Sequence, residues 1–288
     1  MDLSKIYPLR PDWVHKGNYG SVMVIAGSKL YTGSATLAAV SALRAGADLV
    51  TVAAPIRASD VAAHTLCDLM TFPLRGDYLQ MKHVADILDT AHVRKVNSVV
   101  LGCGLGRHQS TLNAIYKLIT KLTALMVLDA DALFAIAQRP EVCFGKQVIL
   151  TPHAGELAIL LGSPFAKASE GQAGAILENF EARLVAAKQA ADKYHCLVLV
   201  KGHVDIVTDG VSTMTNNSGS VYMTKGGFGD TLAGVLGALL ARGVGIFEAA
   251  CAAAYINGKA GEMAAQANGE GIVASDIFEY IPRVIQQV

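Results

Sequence analysis

Short, wholly apolar runs alternate with longer alanine- and leucine-rich segments along almost the entire chain, and this alternation restricts the fold more than any other feature. Residues 22–26, 49–53, 98–101, 125–128, 147–150, 197–200 and 205–207 have the length and composition of strands. Most are apolar at successive positions, so both faces must be covered, as in the buried strands of a parallel sheet. Residues 34–45, 83–93, 110–121, 171–194, 231–242, 247–266 and 275–287 read as helices. Strand–helix units repeated this often predict an α/β fold in which helices cover both faces of one central, mostly parallel sheet. No change of composition and no repeat marks a boundary. A chain of 288 residues that is 52% hydrophobic can fill one large core, so a single domain over 1–288 is expected.

Charge narrows the partners. Twenty-four basic and 24 acidic residues cancel without forming runs, which argues against a nucleic-acid surface and against a polybasic membrane patch. The opening residues lack the basic-then-apolar order of a signal peptide, and stretches such as 231–241 are too short and glycine-punctuated to span a bilayer. The five cysteines (Cys67, Cys103, Cys143, Cys196, Cys251) are scattered without CxxC spacing and read as reduced, buried small hydrophobes. A cytoplasmic protein is the expectation.

An open parallel sheet binds ligands beyond the C-terminal ends of its strands. Five loops rich in glycine or polar residues fall there: Gly27-Ser28, Gly102-Cys103-Gly104-Leu105-Gly106, Asp129-Ala130-Asp131, Thr151-Pro152-His153-Ala154-Gly155-Glu156 and Lys201-Gly202-His203. Packing alone does not call for five such loops on one edge, so an active site is expected there. Asp129 can hold Mg²⁺ partly through water, while Asp131 is expected to cap a helix starting at Ala132. Glu156 can orient Mg²⁺-bound water and His153 can bond a polar ligand, or both can simply satisfy a helix start. Lys201 can meet a phosphate, or lie at the surface on a tight turn. The glycines of 102–106 serve either ligand approach or turn geometry.

The segment Lys225-Gly226-Gly227-Phe228-Gly229-Asp230 leads into the apolar run 231–240. Glycines there can curl backbone N–H groups around an oxyanion at the positive end of the helix behind them. Asp230 beside such an anion site suits phosphoryl transfer to a hydroxyl group, with the carboxylate as base. Read alone, the segment equally allows Asp230 to be a plain N-cap.

Together these motifs resemble the ribokinase-like superfamily and, within it, the ADP/ATP-dependent NAD(P)H-hydrate dehydratases. The likeness runs from about Lys16 to Pro282. It rests on Lys16-Gly17-Asn18-Tyr19-Gly20 leading to Ile25-Ala26-Gly27-Ser28, on 102–106, on Val127-Leu128-Asp129-Ala130-Asp131-Ala132-Leu133, on 151–156 and on 227–234. The resemblance implies a carbon–oxygen lyase of (S)-NAD(P)H hydrate, which phosphorylates the hydrate hydroxyl from ADP or ATP and then eliminates phosphate to restore NADH or NADPH. It implies Asp230 as catalytic base and Gly227, Phe228 and Gly229 as anion hole. Lys201, Gly202, His203, Val204 and Asp205, with Gly229, would bind the nucleotide. Ser34 or its neighbour Ala35, Gly106, His153 and Asp230 would hold the hydrated dinucleotide. Mg²⁺ would be served by Glu156 and Asp129. A homo-oligomer, tetrameric by the resemblance, and no fused epimerase domain are also implied.

Three positions depart from the family pattern: Phe228 in place of Thr, Phe134 in place of Asn, and Asn257-Gly258 in place of His-Gly. Two rivals stand. A vitamin-precursor kinase of the same fold would release a stable phosphate ester, and Thr151-Pro152-His153 speaks against it. A non-catalytic nucleotide-binding regulator would explain Phe228, and Asp230 speaks against that. A Rossmann dehydrogenase fails on its glycine spacing.

Overall fold

The computed structural model describes residues 1–162 and 179–286. Nine strands form one sheet: β1 (Ser21–Ile25), β2 (Leu49–Pro55), β3 (Met70–Leu74), β4 (Ser98–Leu101), β5 (Leu125–Leu128), β6 (Val148–Leu150), β7 (Leu197–Val200), β8 (Asp205–Thr208) and β9 (Thr213–Asn216). Their spatial order is β3-β2-β1-β4-β5-β6-β7-β8-β9. The first seven in that row run parallel, and β8 and β9 return antiparallel as a meander. The order reverses between β1 and β4, the kind of switch point beyond whose strand ends open α/β sheets bind ligands.

The helices lie in two layers. On one face are α1 (Ser34–Arg44), α2 (Ile56–Thr65), α8 (Phe228–Ala241), α9 (Ile246–Asn268) and α10 (Tyr280–Gln286). On the other are α3 (Val84–Val93), α4 (Gln109–Lys121), α5 (Asp131–Ile136), α6 (Ala154–Leu161) and α7 (Phe180–Tyr194). Alternation along β1 serves both: Val22 and Val24 join the first core, Met23 and Ile25 the second. Helix α8 is buried at every position from Thr231 to Ala241, as expected of a helix apolar all round. Its Gly234 lets α1 come so close that a Cβ there would lie 2.0 Å from the Ala38 carbonyl oxygen. This contact brings the start of α1 beside the start of α8.

The α/β expectation holds, and the differences have physical causes. Strands β3 and β9 were not expected from the sequence, and they are the two edges of the sheet. Edge strands need no apolar residues on both faces: β9 is polar and mostly exposed, and β3 carries Pro73, which an edge tolerates. Helix α2, mostly exposed, went unassigned, and α5 and α6 were foreseen only as helix starts, at Ala132 and behind His153, being too short to leave a periodic run. Helix α8 starts three residues early, at Phe228. The stretch 275–287 is not one α-helix, since a 3₁₀ segment Ala274–Glu279 precedes α10. Of the helix expected over 171–194, α7 supplies the part from Phe180; residues 171–178, like 287, lie outside the described residues. Among the described residues, no helix is long and apolar enough to cross a membrane.

Candidate active site

The C-terminal ends of β5, β6 and β7 deliver Asp129, Thr151 and Lys201 to one point under the start of α8. Lys201 Nζ donates to Asp129 Oδ1 at 2.6 Å and stands 3.8 Å from Glu156 Oε2. Thr151 Oγ1 donates to the same Asp129 oxygen at 2.8 Å. Asp129 and Glu156 are buried, at 2% and 4% exposure, so the ammonium between them is the counter-charge that makes their burial tolerable. Burial pushes the Lys201 pKa down, but the two carboxylates outweigh it and hold the group above its usual range. The tight-turn alternative for a surface lysine is thereby removed.

Helix α8 opens at Gly227, whose φ of +105° and whose absent side chain are both required: a Cβ would lie 2.7 Å from Leu37 Cδ1 and 2.8 Å from Ala274 Cβ. No side chain caps this helix. The first N–H groups of any α-helix have no partner within it, so those of Phe228, Gly229 and Asp230 remain for a ligand. Lys225 anchors the preceding loop through bonds from Nζ to the carbonyls of Glu270 and Ile272, the latter at 2.8 Å. A Cβ on Gly229 would stand 3.3 Å from Lys201 Nζ. The helix end and the ammonium therefore converge on one spot, the ammonium being shared with the Asp129 and Glu156 carboxylates. The Phe228 ring, in place of a threonine hydroxyl, packs into the core and leaves the backbone donors in position. Its carbonyl accepts from Thr231 Oγ1 at 2.9 Å and Asn257 Nδ2 at 3.4 Å, so the buried Asn257 secures the first turn of α8.

Asp230 is half-buried at the wall of this spot. Its carboxylate, that of Asp129 and the Cys103 thiol place ligand atoms within 4.8 Å of one another. Burial raises the Asp230 pKa and the Asp129 charge raises it further, while Ser34, Cys103 and Lys201 oppose; the balance is about 7. The plain N-cap reading of Asp230 fails because the residue sits inside the first turn. Cys103 had no functional signal among the scattered cysteines. Only its place between the glycines of the 102–106 loop could have indicated it. Its thiol lies 3.6 Å from Asp129 Oδ2.

A cavity of about 660 Å³ joins these groups. Asp129, His153, Lys201, Gly202, His203, Asp205, Gly227, Phe228, Gly229 and Asp230 all border it. Five of the six residues expected to bind nucleotide thus border one space; Val204 instead turns its carbonyl to Arg183, at 3.1 Å. Ser34 is the more accessible of its pair, half-buried where Ala35 is fully buried, and its hydroxyl faces the Asp230 carboxylate; neither residue borders the cavity.

Two sequence readings need refinement. His153 is the N-cap of α6: its Nδ1 accepts from Gly155 N and Glu156 N at 3.0 and 3.3 Å, and Glu156 Oε2 accepts the His153 N–H at 2.9 Å. The helix-start role is therefore real, and the second ring nitrogen is also engaged with Glu156: Nε2 stands 3.4 Å from Glu156 Oε1, although the ring itself is half-exposed. Asp131 does not cap α5, which already begins at that residue behind Ala130. Its carboxylate accepts from Gly106 N at 2.7 Å and from Arg107 Nε at 2.9 Å, so the Gly106 N–H is already engaged. Phe134, where the family pattern has Asn, lies under the Arg107 guanidinium at 3.5 Å.

The fold and these motifs have known counterparts. The family model described as NAD(P)H-hydrate dehydratase matches residues 22–283. The bifunctional NAD(P)H-hydrate repair enzyme Nnr of Methanothermobacter thermautotrophicus is 38% identical over 99% of this chain and 53% of its own length. The chain thus spans about half the length of the bifunctional relatives it matches. The ADP-dependent (S)-NAD(P)H-hydrate dehydratase of Cenarchaeum symbiosum is 32% identical over 99% of this chain and 95% of its own. Among solved structures, the ADP/ATP-dependent NAD(P)H-hydrate dehydratase of Bacillus subtilis, co-crystallised with ATP/Mg²⁺, superposes with a TM-score of 0.80 at 24% identity, covering 98% of this chain and 94% of that one. That likeness supports the ribokinase-like fold. With a family match from the first strand to the last helix, and a relative matched over nearly its full length, this chain belongs to the NAD(P)H-hydrate dehydratase family.

Proposed function

We propose that this protein restores NADH and NADPH from their hydrates, using ADP or ATP to phosphorylate the hydrate hydroxyl and then eliminating phosphate. The observation that carries the reading is Asp230, a carboxylate with a pKa near 7 beside the uncapped start of α8 and the Lys201 ammonium. Asp230 takes the hydroxyl proton as the oxygen attacks the terminal phosphorus and the bond to the nucleotide breaks. The N–H groups of Gly227, Phe228 and Gly229, with Lys201, meet the charge on the transferred phosphoryl group. The ring nitrogen's lone pair then expels phosphate from the neighbouring carbon, and loss of a proton from the adjacent carbon restores the double bond. Phosphate leaves where hydroxide would not.

Within this reading Lys201, Gly202, His203 and Asp205 cradle the nucleotide, with Val204 shaping the loop. Ser34, Gly106 and His153 approach the hydrate. Mg²⁺, bound with the nucleotide, would neutralise phosphate charge. Asp129 borders the cavity and Glu156 does not, and Lys201 already balances both, so the pair fits contact through metal-bound water better than direct ligation. A cytoplasmic, homo-oligomeric (tetrameric) enzyme without nucleic-acid or membrane partners belongs to the same reading. Of these, the lack of a nucleic-acid partner is supported by the balanced charge without basic runs.

The direct test incubates the protein, Mg²⁺ and NADH hydrate with ADP or ATP separately. Recovery of the reduced-nicotinamide absorbance is expected with at least one donor. Accumulation of a stable phosphorylated product would favour a kinase, and nucleotide binding without turnover a regulator.

The pKa of Asp230 sets the pH profile. Below about 7 the carboxyl is protonated and cannot accept the hydroxyl proton, so kcat/KM should rise through that pH and level off above it. Asp129→Asn removes a repelling charge and should move this limb to lower pH. A profile flat from pH 5 to 9 would contradict Asp230 as base.

His153 needs a substitution that spares its capping role. Asn is itself a good N-cap, so His153→Asn should keep α6 while removing the imidazole that borders the cavity, together with its Nε2 contact to Glu156. The KM for the hydrate is expected to rise by the equivalent of about 1–3 kcal/mol, with the nucleotide KM nearly unchanged. The reverse pattern would assign His153 to the donor side.

A further inference from the structure

Arg183, on the first turn of α7, was not among the sequence candidates and does not border the cavity. It is nonetheless buried, at 8% exposure, directly behind the loop that joins β7 to β8. Its Nη2 donates to the Val204 carbonyl at 3.1 Å, and its positive charge acts on Asp205. Asp205 in turn accepts from Gly202 N at 3.0 Å and from Asn216 Nδ2 at 2.9 Å. A Cβ added to Gly202 would lie 1.8 Å from Arg183 Nη1. The guanidinium therefore fills the space that a side chain at position 202 would need. Its Nε is buried and has no hydrogen-bond partner among the described residues. A buried donor left unpaired is costly, so the group is not placed to satisfy its own bonds. What the placement secures is the loop: its backbone is held at the Val204 carbonyl by Arg183 and at the Gly202 N–H by the Asp205 carboxylate, while Gly202, His203 and Asp205 face the cavity in front.

We propose that Arg183 is a positioning residue for the nucleotide, interlocked with Gly202 so that the Lys201–Asp205 loop presents one fixed shape to the donor. The inference rests on the reading of that loop as the nucleotide site. Lysine cannot replace the planar fork at such a position, and any side chain at 202 must expel the guanidinium.

The test is a double-mutant cycle read by calorimetric titration with ADP and ATP in Mg²⁺, on the full chain. Steady-state KM for the hydrate and thermal melting are measured alongside. Gly202→Ala and Arg183→Ala are each expected to weaken nucleotide binding about tenfold, and the double variant no more than the worse single one, because both break the same contact. Arg183→Lys should fall between wild type and Arg183→Ala, and the hydrate KM should stay within about twofold throughout. Losses that multiply in the double variant would overturn the interlock. A lowered melting temperature with unchanged nucleotide affinity would make Arg183 merely structural and overturn it as well. Should the Arg183 variants not fold, Gly202→Ala alone decides, since normal affinity there is incompatible with the interlock. If the wild type itself bound neither nucleotide, the functional reading would fall, and this inference with it.

Discussion

Asp230→Asn is expected to abolish dehydration while leaving nucleotide affinity nearly intact. Asparagine keeps the shape of the side chain and can still bond Ser34 and Cys103, the groups that face the carboxylate now. It cannot accept the hydroxyl proton. Losing a positioned base commonly costs about 10²–10⁴-fold in rate, and because the interaction belongs to the transition state, kcat should carry the loss rather than KM. Removing one of two adjacent carboxylates also relieves repulsion with Asp129, so the variant should be at least as stable as the wild type. Retention of more than a tenth of the wild-type rate would reduce Asp230 to a structural residue of the first turn.

Lys201→Met should have the largest effect on stability. The ammonium holds Asp129 at 2.6 Å and stands 3.8 Å from Glu156, and both carboxylates are almost wholly withdrawn from water. Methionine fills much the same volume but leaves two like charges without a counter-ion. Breaking a buried pair from one side typically costs about 3–5 kcal/mol. The sign with pH is fixed: protonated carboxyls need no counter-charge, so the deficit relative to wild type should shrink as the pH falls through the carboxylate range. Denaturant melts at two pH values measure it. A loss below about 1 kcal/mol at neutral pH, in the range of exposed pairs, would show that water reaches this cluster freely.

The sequence was informative where burial left a periodic mark. Strands covered on both faces, such as β4 and β5, have the boundaries that their apolar runs predict. Edge strands β3 and β9 escaped because only part of their surface is buried. The site divides along the same line. Positions that follow central strands, Asp129 and Lys201, could be placed at the sheet edge from order alone. The partnership between them spans 72 residues of sequence and could not. The helix-start role of His153 was one of two readings open in the sequence, and only the ring nitrogen turned towards α6 decides for it. Arg183 carried no motif, and its importance arises from a glycine across the fold whose missing side chain makes room for it.

The central claim is that the hydrate's own hydroxyl oxygen is phosphorylated before it leaves. NADH hydrate prepared in ¹⁸O-water carries the label in that hydroxyl. Turnover with the nucleotide in ordinary water, followed by mass spectrometry of the released phosphate, follows the oxygen directly. One ¹⁸O is expected in each phosphate released with restored NADH. Label appearing in water, with unlabelled phosphate, would mean that nucleotide hydrolysis and dehydration are separate events, and would contradict phosphoryl transfer to the hydrate.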